Sequence, residues 1–355
     1  MTSSAHTKAQ ADAQIEALDA LFEQAGLVRS LRGNAAGVTV RMRLARADQR
    51  DLTPSAPVAR TAANGVQWLP APGWEKLDWL WHGFSTRRGG LSHAYCAADA
   101  AGELNLGLTA EDAPETVLAN RRLLAEAVTG NPATPLVSLR QIHSSALCVA
   151  SSADALRQQP SKADGLMTDE PGLLLGIQTA DCVPVMVVDR KRRAVAVFHA
   201  GWRGTVKRIV EAGVGRMRLQ FGSRPADLTA AIGPCIGPCC YAVSDEMLSE
   251  FESQFSYARD LFCEVDDADA VHIKYPMLFL TQRAPGHSPI GPSLHLDLAE
   301  ANRRQLLAAG LKARSIHAVG GCTSCQRELF FSYRAAQGRA GRMMSVIGIR
   351  PEASI

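Results

Sequence analysis

Short apolar runs rich in Val, Leu and Ile, bounded by Gly, Pro or charged residues, recur from about residue 68 onward. Two of them, Gly172 to Ile177 (GLLLGI) and Ala194 to Phe198 (AVAVF), have the length and composition of buried strands. The first leads into Thr179-Ala180-Asp181-Cys182 and the second into His199-Ala200-Gly201-Trp202-Arg203-Gly204. The same pattern predicts strands over Trp79–Arg87, running into the turn Arg88-Gly89-Gly90, and over Leu136–Ile142, ending at His143. Further strands are predicted at Leu228–Ile232, Ser315–Val319 and Met343–Ile349. Helical spacing appears at Ala113–Val128, where Val117, Leu118, Leu123, Leu124 and Val128 fall mostly on one face. It appears again at Val206–Leu219 and at Leu296–Ala309, which Gly310 stops. Strands and helices mix without strict alternation, which predicts mixed sheets rather than a doubly wound parallel one.

The first 67 residues differ in kind. Ala11–Ala25 places Ile15, Leu18, Leu21 and Phe22 at helical spacing, with Gly26 as a stop, and Arg/Ala-rich segments and Asp51-Leu52-Thr53-Pro54-Ser55-Ala56-Pro57 read as linker. The expected organisation is an N-terminal extension over residues 1–67, holding one amphipathic helix and a linker, followed by a single catalytic domain over residues 68–355.

Composition narrows the class. A hydrophobic fraction of 46% with 21% charged residues belongs to an ordinary soluble globular chain. A net charge of +3 is too small to draw the chain to nucleic acid or to a membrane surface. No window reaches the ~18 apolar residues of a spanning helix, and the N-terminus lacks an apolar signal region. Nine cysteines, an odd number spread over a long chain, fit free thiols or metal ligands in a reducing cytoplasm better than a disulfide framework. Monomer and homodimer are equally compatible with the sequence.

Three groups with ligand chemistry stand at predicted strand ends: His143, Cys182 and His199. Three protein ligands with a fourth position left for water or substrate is the usual form of catalytic zinc, and two imidazoles with one thiolate is a set zinc accepts. The same residues also read as a small buried hydrophobe and two hydrogen-bonded core histidines, and spacing alone leaves both readings open. A second group, Cys322-x-x-Cys325 with Cys235, Cys239 and Cys240, offers a four-thiolate metal site or a redox pair, but lacks the usual knuckle spacing, so free thiols are the expectation. Copper also accepts two His and one Cys. The nine histidines contain no H-x-H pair, however, which argues against a true laccase. No P-loop, dinucleotide fingerprint or nucleophile-elbow motif is present. Arg87, Arg203, Arg339 and Arg342 lie beside Gly-rich turns, where guanidinium forks and exposed N–H groups suit an oxyanion. Taken singly, each reads as a structural or solvated arginine.

The motifs FSTRRGG (84–90), LNLG (104–107), RQIH (140–143), ADGLMT (163–168), TADCVPV (179–185), HAGWRG (199–204), IGPCIGPCCY (232–241), CTSC (322–325), and FFSYR with GRAGRM (330–343) occur in the order of one family. Over about residues 68–350 the chain resembles the YfiH-like family, long labelled polyphenol oxidoreductase or laccase and now regarded as zinc-dependent purine nucleoside phosphorylases. The resemblance implies an α/β (α+β) sandwich of mixed sheets flanked by helices, similar to cysteine hydrolases. It implies zinc held by His143, Cys182 and His199, with copper as a possible substitute. It also implies phosphorolysis of adenosine, inosine and methylthioadenosine, with adenosine deamination alongside, in the cytoplasm. Where the family more often has Thr in its Thr-Gly-Arg loop, this chain has Ala340.

Under this reading Arg87, Arg203, Arg339 and Arg342 are the candidates for phosphate charge, and Asn105 and Gln141 for polar contacts to sugar or base. Asp181 orients a ligand or serves as acid/base. Three other readings compete. One is an amidohydrolase on a cell-wall precursor, with Cys182 as nucleophile and a histidine as its base. Another is a copper-dependent polyphenol oxidase, as the family's older label has it. The third is a zinc-stabilised binding module without turnover.

Overall fold

A strand covered on both faces has no polar side to show water, so its sequence is continuously apolar. Val183–Asp189 and Ala194–Ala200 are buried at every position, and the architecture follows from covering them. The computed structural model describes residues 57–96, 100–157, 159–265 and 293–352, with strand segments at 29–30, 41–42 and 45–47. The predicted helix at 11–25 lies outside the described residues. The chain divides into two units, Met1–Arg46 and Ala47–Ile355. In the first, Arg29–Ser30 pairs antiparallel with Arg41–Met42.

The second unit opens with β1 (Arg60–Thr61), β2 (Gln67–Leu69), β3 (Leu80–Ser85), β4 (Arg88–Ser92) and α1 (Pro114–Thr129). Its middle holds β5 (Leu136–Ser138), β6 (Leu147–Val149), β7 (Gly165–Thr168), β8 (Leu174–Thr179), β9 (Val183–Asp189) and β10 (Ala194–Ala200). Then come α2 (Trp202–Val206), α3 (Ile209–Phe221), β11 (Leu228–Ile232), α4 (Asp245–Gln254) and β12 (Phe262–Val265). Finally β13 (Ser293–Leu296), α5 (Leu298–Ala308), β14 (Ile316–Ala318) and β15 (Met343–Ile349) follow.

Two six-stranded mixed sheets form the frame, ordered β14-β11-β9-β10-β7-β6 and β1-β2-β3-β15-β8-β5. In the first, β9 and β10 pair antiparallel while β11–β14 and β6–β7 are parallel. In the second, β15 pairs antiparallel with both β3 and β8, and β5 lies parallel to β8. One core cluster joins Phe84, Ile177 and Ile347 of the second sheet to Met186, Val188, Val195 and Val197 of the first, so the sheets face each other. On the second sheet's other side, Leu124 and Ala125 of α1 meet Trp81, Leu174, Met344 and Val346. Helices α3 and α5 cover the first sheet's outer face. The result is the mixed α/β sandwich expected from the sequence.

Several boundaries differ from the expectation, each for a physical reason. The compact unit takes in residues before 68, because β1 and β2 extend the second sheet through β3. The strand expected over Leu136–Ile142 stops at Ser138, and the chain turns through the Asp164 carboxylate, which accepts the N–H groups of Ile142, His143 and Ser144. The helix expected over Val206–Leu219 starts at Ile209, after α2 ends and Arg208 takes φ 58°. Strand β9 adds to the strands expected from the sequence and carries Pro184, an unusual residue in a central strand. It is tolerated because the ladder with β11 begins only at Val185. With β9 in place, the runs leading to Cys182 and His199 are not neighbours in one sheet: β8 lies in the second sheet and β10 in the first.

Candidate active site

Cys182 sits in the turn where the chain crosses from β8 in one sheet to β9 in the other. His199 is the penultimate residue of β10, opposite Pro184 of β9. His143 sits in the loop after β5, at φ 55°, and Asp181 is held at φ 88°. Positive φ is costly for a side-chain-bearing residue, and two such residues beside one cysteine mark a place where the fold over-determines the backbone.

The three groups meet. One donor atom from each of His143, Cys182 and His199 lies within 4.8 Å of the others. The Cys182 Sγ and His143 Nε2 are 4.0 Å apart, close to the about 3.5 Å spanned by two donors of a tetrahedral zinc. The two imidazole rings are edge to face, 4.9 Å between centroids. Gly201 leaves the space: a Cβ there would come within 3.0 Å of the His143 ring and 3.1 Å of the Cys182 sulfur. The donor set therefore fits a zinc ion, with His143 Nε2, Cys182 Sγ and the His199 nitrogen remote from its partner as ligands.

That partner is Asp164, whose role the sequence did not reveal. Its carboxylate is fully buried, and Oδ1 bonds His199 Nδ1 at 2.8 Å. The Ser144 N–H and hydroxyl donate to Oδ2 at 2.6 and 2.7 Å, and the His199 N–H donates to the Asp164 carbonyl at 2.7 Å. One carboxylate thus fixes the His143 loop and the tautomer and orientation of His199, as carboxylates behind ligating histidines do. The signal was present in ADGLMT: an acidic residue at the mouth of a mostly apolar, fully buried strand needs partners.

Charge follows the geometry. Burial pushes the Cys182 thiol up, but the His199 charge and hydrogen bonds from both histidines bring it down to about 6. Burial alone lowers His199, yet the Cys182 charge and the bond to Asp164 raise it to about 9. Asp164 is pushed up by burial and held well below the usual carboxylate range by His199 and Ser144. Without metal the group is a thiolate–imidazolium pair backed by a carboxylate.

The other singled-out residues divide. Asp181 points away from the donors: its carboxylate accepts the Thr323 hydroxyl at 2.6 Å and the Arg334 N–H at 2.7 Å. It acts as a brace for the turn that carries Cys182. Gln141 lies in the His143 loop but uses both amide atoms on the Gln178 backbone, each at 2.7 Å. Asn105 is fully buried and spends its amide on Gly107, Asp112 and the Arg342 N–H. The Arg87 guanidinium pairs with Glu103 at 2.6 Å, donates to the Arg327 and Tyr95 carbonyls and lies over the Phe331 ring. Arg203 and Arg339 are exposed, Arg203 over Trp202, while Arg342 is half-buried over Tyr333.

The protein is a mixed α/β sandwich, not a barrel, in which a strand residue, a turn residue and a loop residue bring together His199, Cys182 and His143 as a group that could hold a metal ion. The sequence profile of the family described as multi-copper polyphenol oxidoreductase laccase matches residues 81–350, and the chain belongs to that family. It is 35% identical to the purine nucleoside phosphorylase YlmD of Geobacillus stearothermophilus, over 76% of this chain and 90% of that protein. It is 32% identical to the adenosine deaminase RL5 of an unknown prokaryote, over 77% of this chain and 97% of that one. The crystal structure of Bacillus licheniformis YfiH superposes with a TM-score of 0.66 at 32% identity, covering 82% of this chain and 99% of its own. The phosphorylase-like, YfiH-type membership read from the motifs is thereby shown.

Proposed function

We propose that this chain is a zinc-dependent purine nucleoside phosphorylase. It cleaves adenosine, inosine and methylthioadenosine with phosphate, giving free base and ribose or methylthioribose 1-phosphate, and deaminates adenosine at the same site, in the cytoplasm. One observation carries the reading: two imidazoles and a thiolate converge with a buried carboxylate behind one of them. The names of the relatives supply the substrate class.

His143, Cys182 and His199 would hold a zinc ion, which would supply Lewis acidity to the bound phosphate or water. The chain does the rest. Asp164 holds His199 in one tautomer, so a single ring nitrogen faces the donors. Cleavage of the N-glycosidic bond builds positive charge on the sugar as the phosphate oxygen approaches C1′. Neutralising the phosphate falls to Arg203 and Arg339, and to the part of the Arg342 guanidinium not bonded to the Ala340 and Gly341 carbonyls, because Arg87 pairs with Glu103. Asn105 and Gln141 likewise support the walls instead of touching substrate, and Asp181 braces the Cys182 turn.

The test is metal content on the sample then incubated with adenosine or inosine, with and without phosphate. The reading requires zinc at the His-Cys-His site and base release that depends on phosphate, both lost in His143→Ala. Full turnover after zinc removal sinks it, and copper with phenol oxidation in its place supports the older family description.

The thiolate–imidazolium pair favours a second reading, an amidohydrolase acting on a cell-wall precursor through Cys182. In metal-free protein Cys182 should then be alkylated by iodoacetamide with an apparent pKa of about 6. A covalent acyl intermediate on Cys182 separates this reading from phosphorolysis.

A further inference from the structure

The loop after β11 and the loop after β14 lie side by side. Cys235 and Cys322 form a parallel bridge, and the Thr323 N–H donates to the Cys235 carbonyl at 3.0 Å. This register brings together four thiols from cysteines as much as 86 residues apart. The sulfurs of Cys239, Cys240, Cys322 and Cys325 all lie within 4.8 Å of one another. The Cys239–Cys325 and Cys240–Cys325 separations are 3.5 and 3.4 Å. A disulfide needs about 2.05 Å, whereas four sulfurs about 2.3 Å from one tetrahedral zinc stand about 3.8 Å apart. The observed spacing is that of sulfurs around a shared centre.

The surroundings are built for such a centre. The Gly237 N–H donates to the Cys322 sulfur at 3.2 Å, the kind of outer bond that steadies a ligating thiolate. Gly237 keeps the loops close, since a Cβ would lie 3.2 Å from the Cys239 sulfur and 3.3 Å from the Cys322 Cβ and press on both. Cys239 and Cys322 are buried against Ile236 and Tyr241, while Cys240 is half-buried and Cys325 exposed, which leaves a path for an ion to enter. Four protein donors fill a tetrahedron and leave no open position, so the group is suited to holding structure rather than to chemistry.

We propose that Cys239, Cys240, Cys322 and Cys325 form a second metal site, a closed four-thiolate zinc site that clamps these two loops together. The proposal departs from the free thiols expected from the irregular spacing. The clamp bears on the catalytic turn. Thr323, between the two cysteines of CTSC, donates to the Asp181 carboxylate, and the Ile236 N–H donates to the Asp181 carbonyl at 2.9 Å. The proposal stands independently of what the His-Cys-His site catalyses.

The test counts metal on the full chain, purified under reducing conditions without chelator. The wild type should hold two zinc ions. A His143→Ala/Cys182→Ser variant, which empties the first site, should retain one, and Cys322→Ser/Cys325→Ser should also retain one. If the cysteine variant fails to fold, the first variant still decides. Reloaded with cobalt, it should show the strong thiolate-to-cobalt charge transfer and tetrahedral visible bands of a four-sulfur site. No metal in that variant, iron in place of zinc, or an intact mass two hydrogens short of the reduced chain would each overturn the proposal.

Discussion

At the scale of single residues, the site is governed by a group that ligates nothing. Asp164 bonds His199 Nδ1 and ties the backbone that presents His143, so two of three donors depend on it. Asp164→Asn keeps the shape but removes the charge and replaces one of the two accepting oxygens with an NH2 donor. Metal affinity is expected to fall by about 10–100-fold, the usual cost of losing a partner of a ligating histidine. A chelator competition titration measures this, and unchanged affinity would show that Asp164 does not hold the donors in place. Gly201→Ala is expected to cost activity with little loss of stability, because its Cβ would press on His143 and Cys182, two of the three candidate donors. Phosphate-dependent base release and the melting temperature, taken together, check it. The three groups could be singled out in the sequence because Cys182 and His199 follow apolar runs and His143 follows a predicted strand, and the structure brings them together. For Asp181 and Arg87 the sequence marks a polar residue beside a motif but not what it touches: Asp181 accepts from Thr323 and Arg334 and so orients the Cys182 turn, one of the two roles expected of it, and Arg87 pairs with Glu103. Those partners are distant in sequence and carry no local signal.

At the scale of elements, β10 and α3 meet more closely than ordinary side chains permit. Gly213 of α3 faces Phe198 of β10, and a Cβ at Gly213 would stand 2.3 Å from the ring. In a free helix Gly→Ala gains about 1 kcal/mol. Against Phe198, overpacking, at about 1–3 kcal/mol, is expected to exceed that gain, so Gly213→Ala should unfold at lower urea concentration than the wild type. A variant that unfolds later would show the interface to be slack. Elements with strong patterns, such as α1 and β15, were readable within a residue or so of their observed bounds. Strand β9 was not, because its proline signal is local whereas its burial between β10 and β11 is a tertiary fact. The sheet to which each strand belongs was equally hidden, since apolar runs do not record their neighbours.

For the whole molecule, stability against acid has an identifiable contributor away from the metal donors. His82 of β3 packs edge-on against Trp74; burial first, then the charge of Arg60, lowers its pKa from 6.5 to about 4. Between these values the unfolded chain binds a proton that the folded chain refuses, so stability falls as pH drops from about 6.5 toward about 4 and levels off below. Above about 6.5 both states are neutral at this residue and the dependence vanishes. His82→Gln is expected to flatten this part of the stability profile, as read by urea melts at several pH values. An unchanged slope would place the acid sensitivity elsewhere. No helix among the described residues is long and apolar enough to cross a membrane.

The position of β15 has a consequence for how the protein comes into being. Residues 343–349 occupy a central place in the second sheet, between β3 and β8, although they follow every other strand of it in sequence. While the chain emerges from the ribosome, β3 and β8 must wait with open edges for a partner synthesised more than 150 residues after β8. Until it arrives, the inner faces of both sheets have only part of their cover. The nascent chain is therefore expected to be a chaperone client through most of its synthesis, acquiring its metal-binding geometry in one late, all-or-none closure.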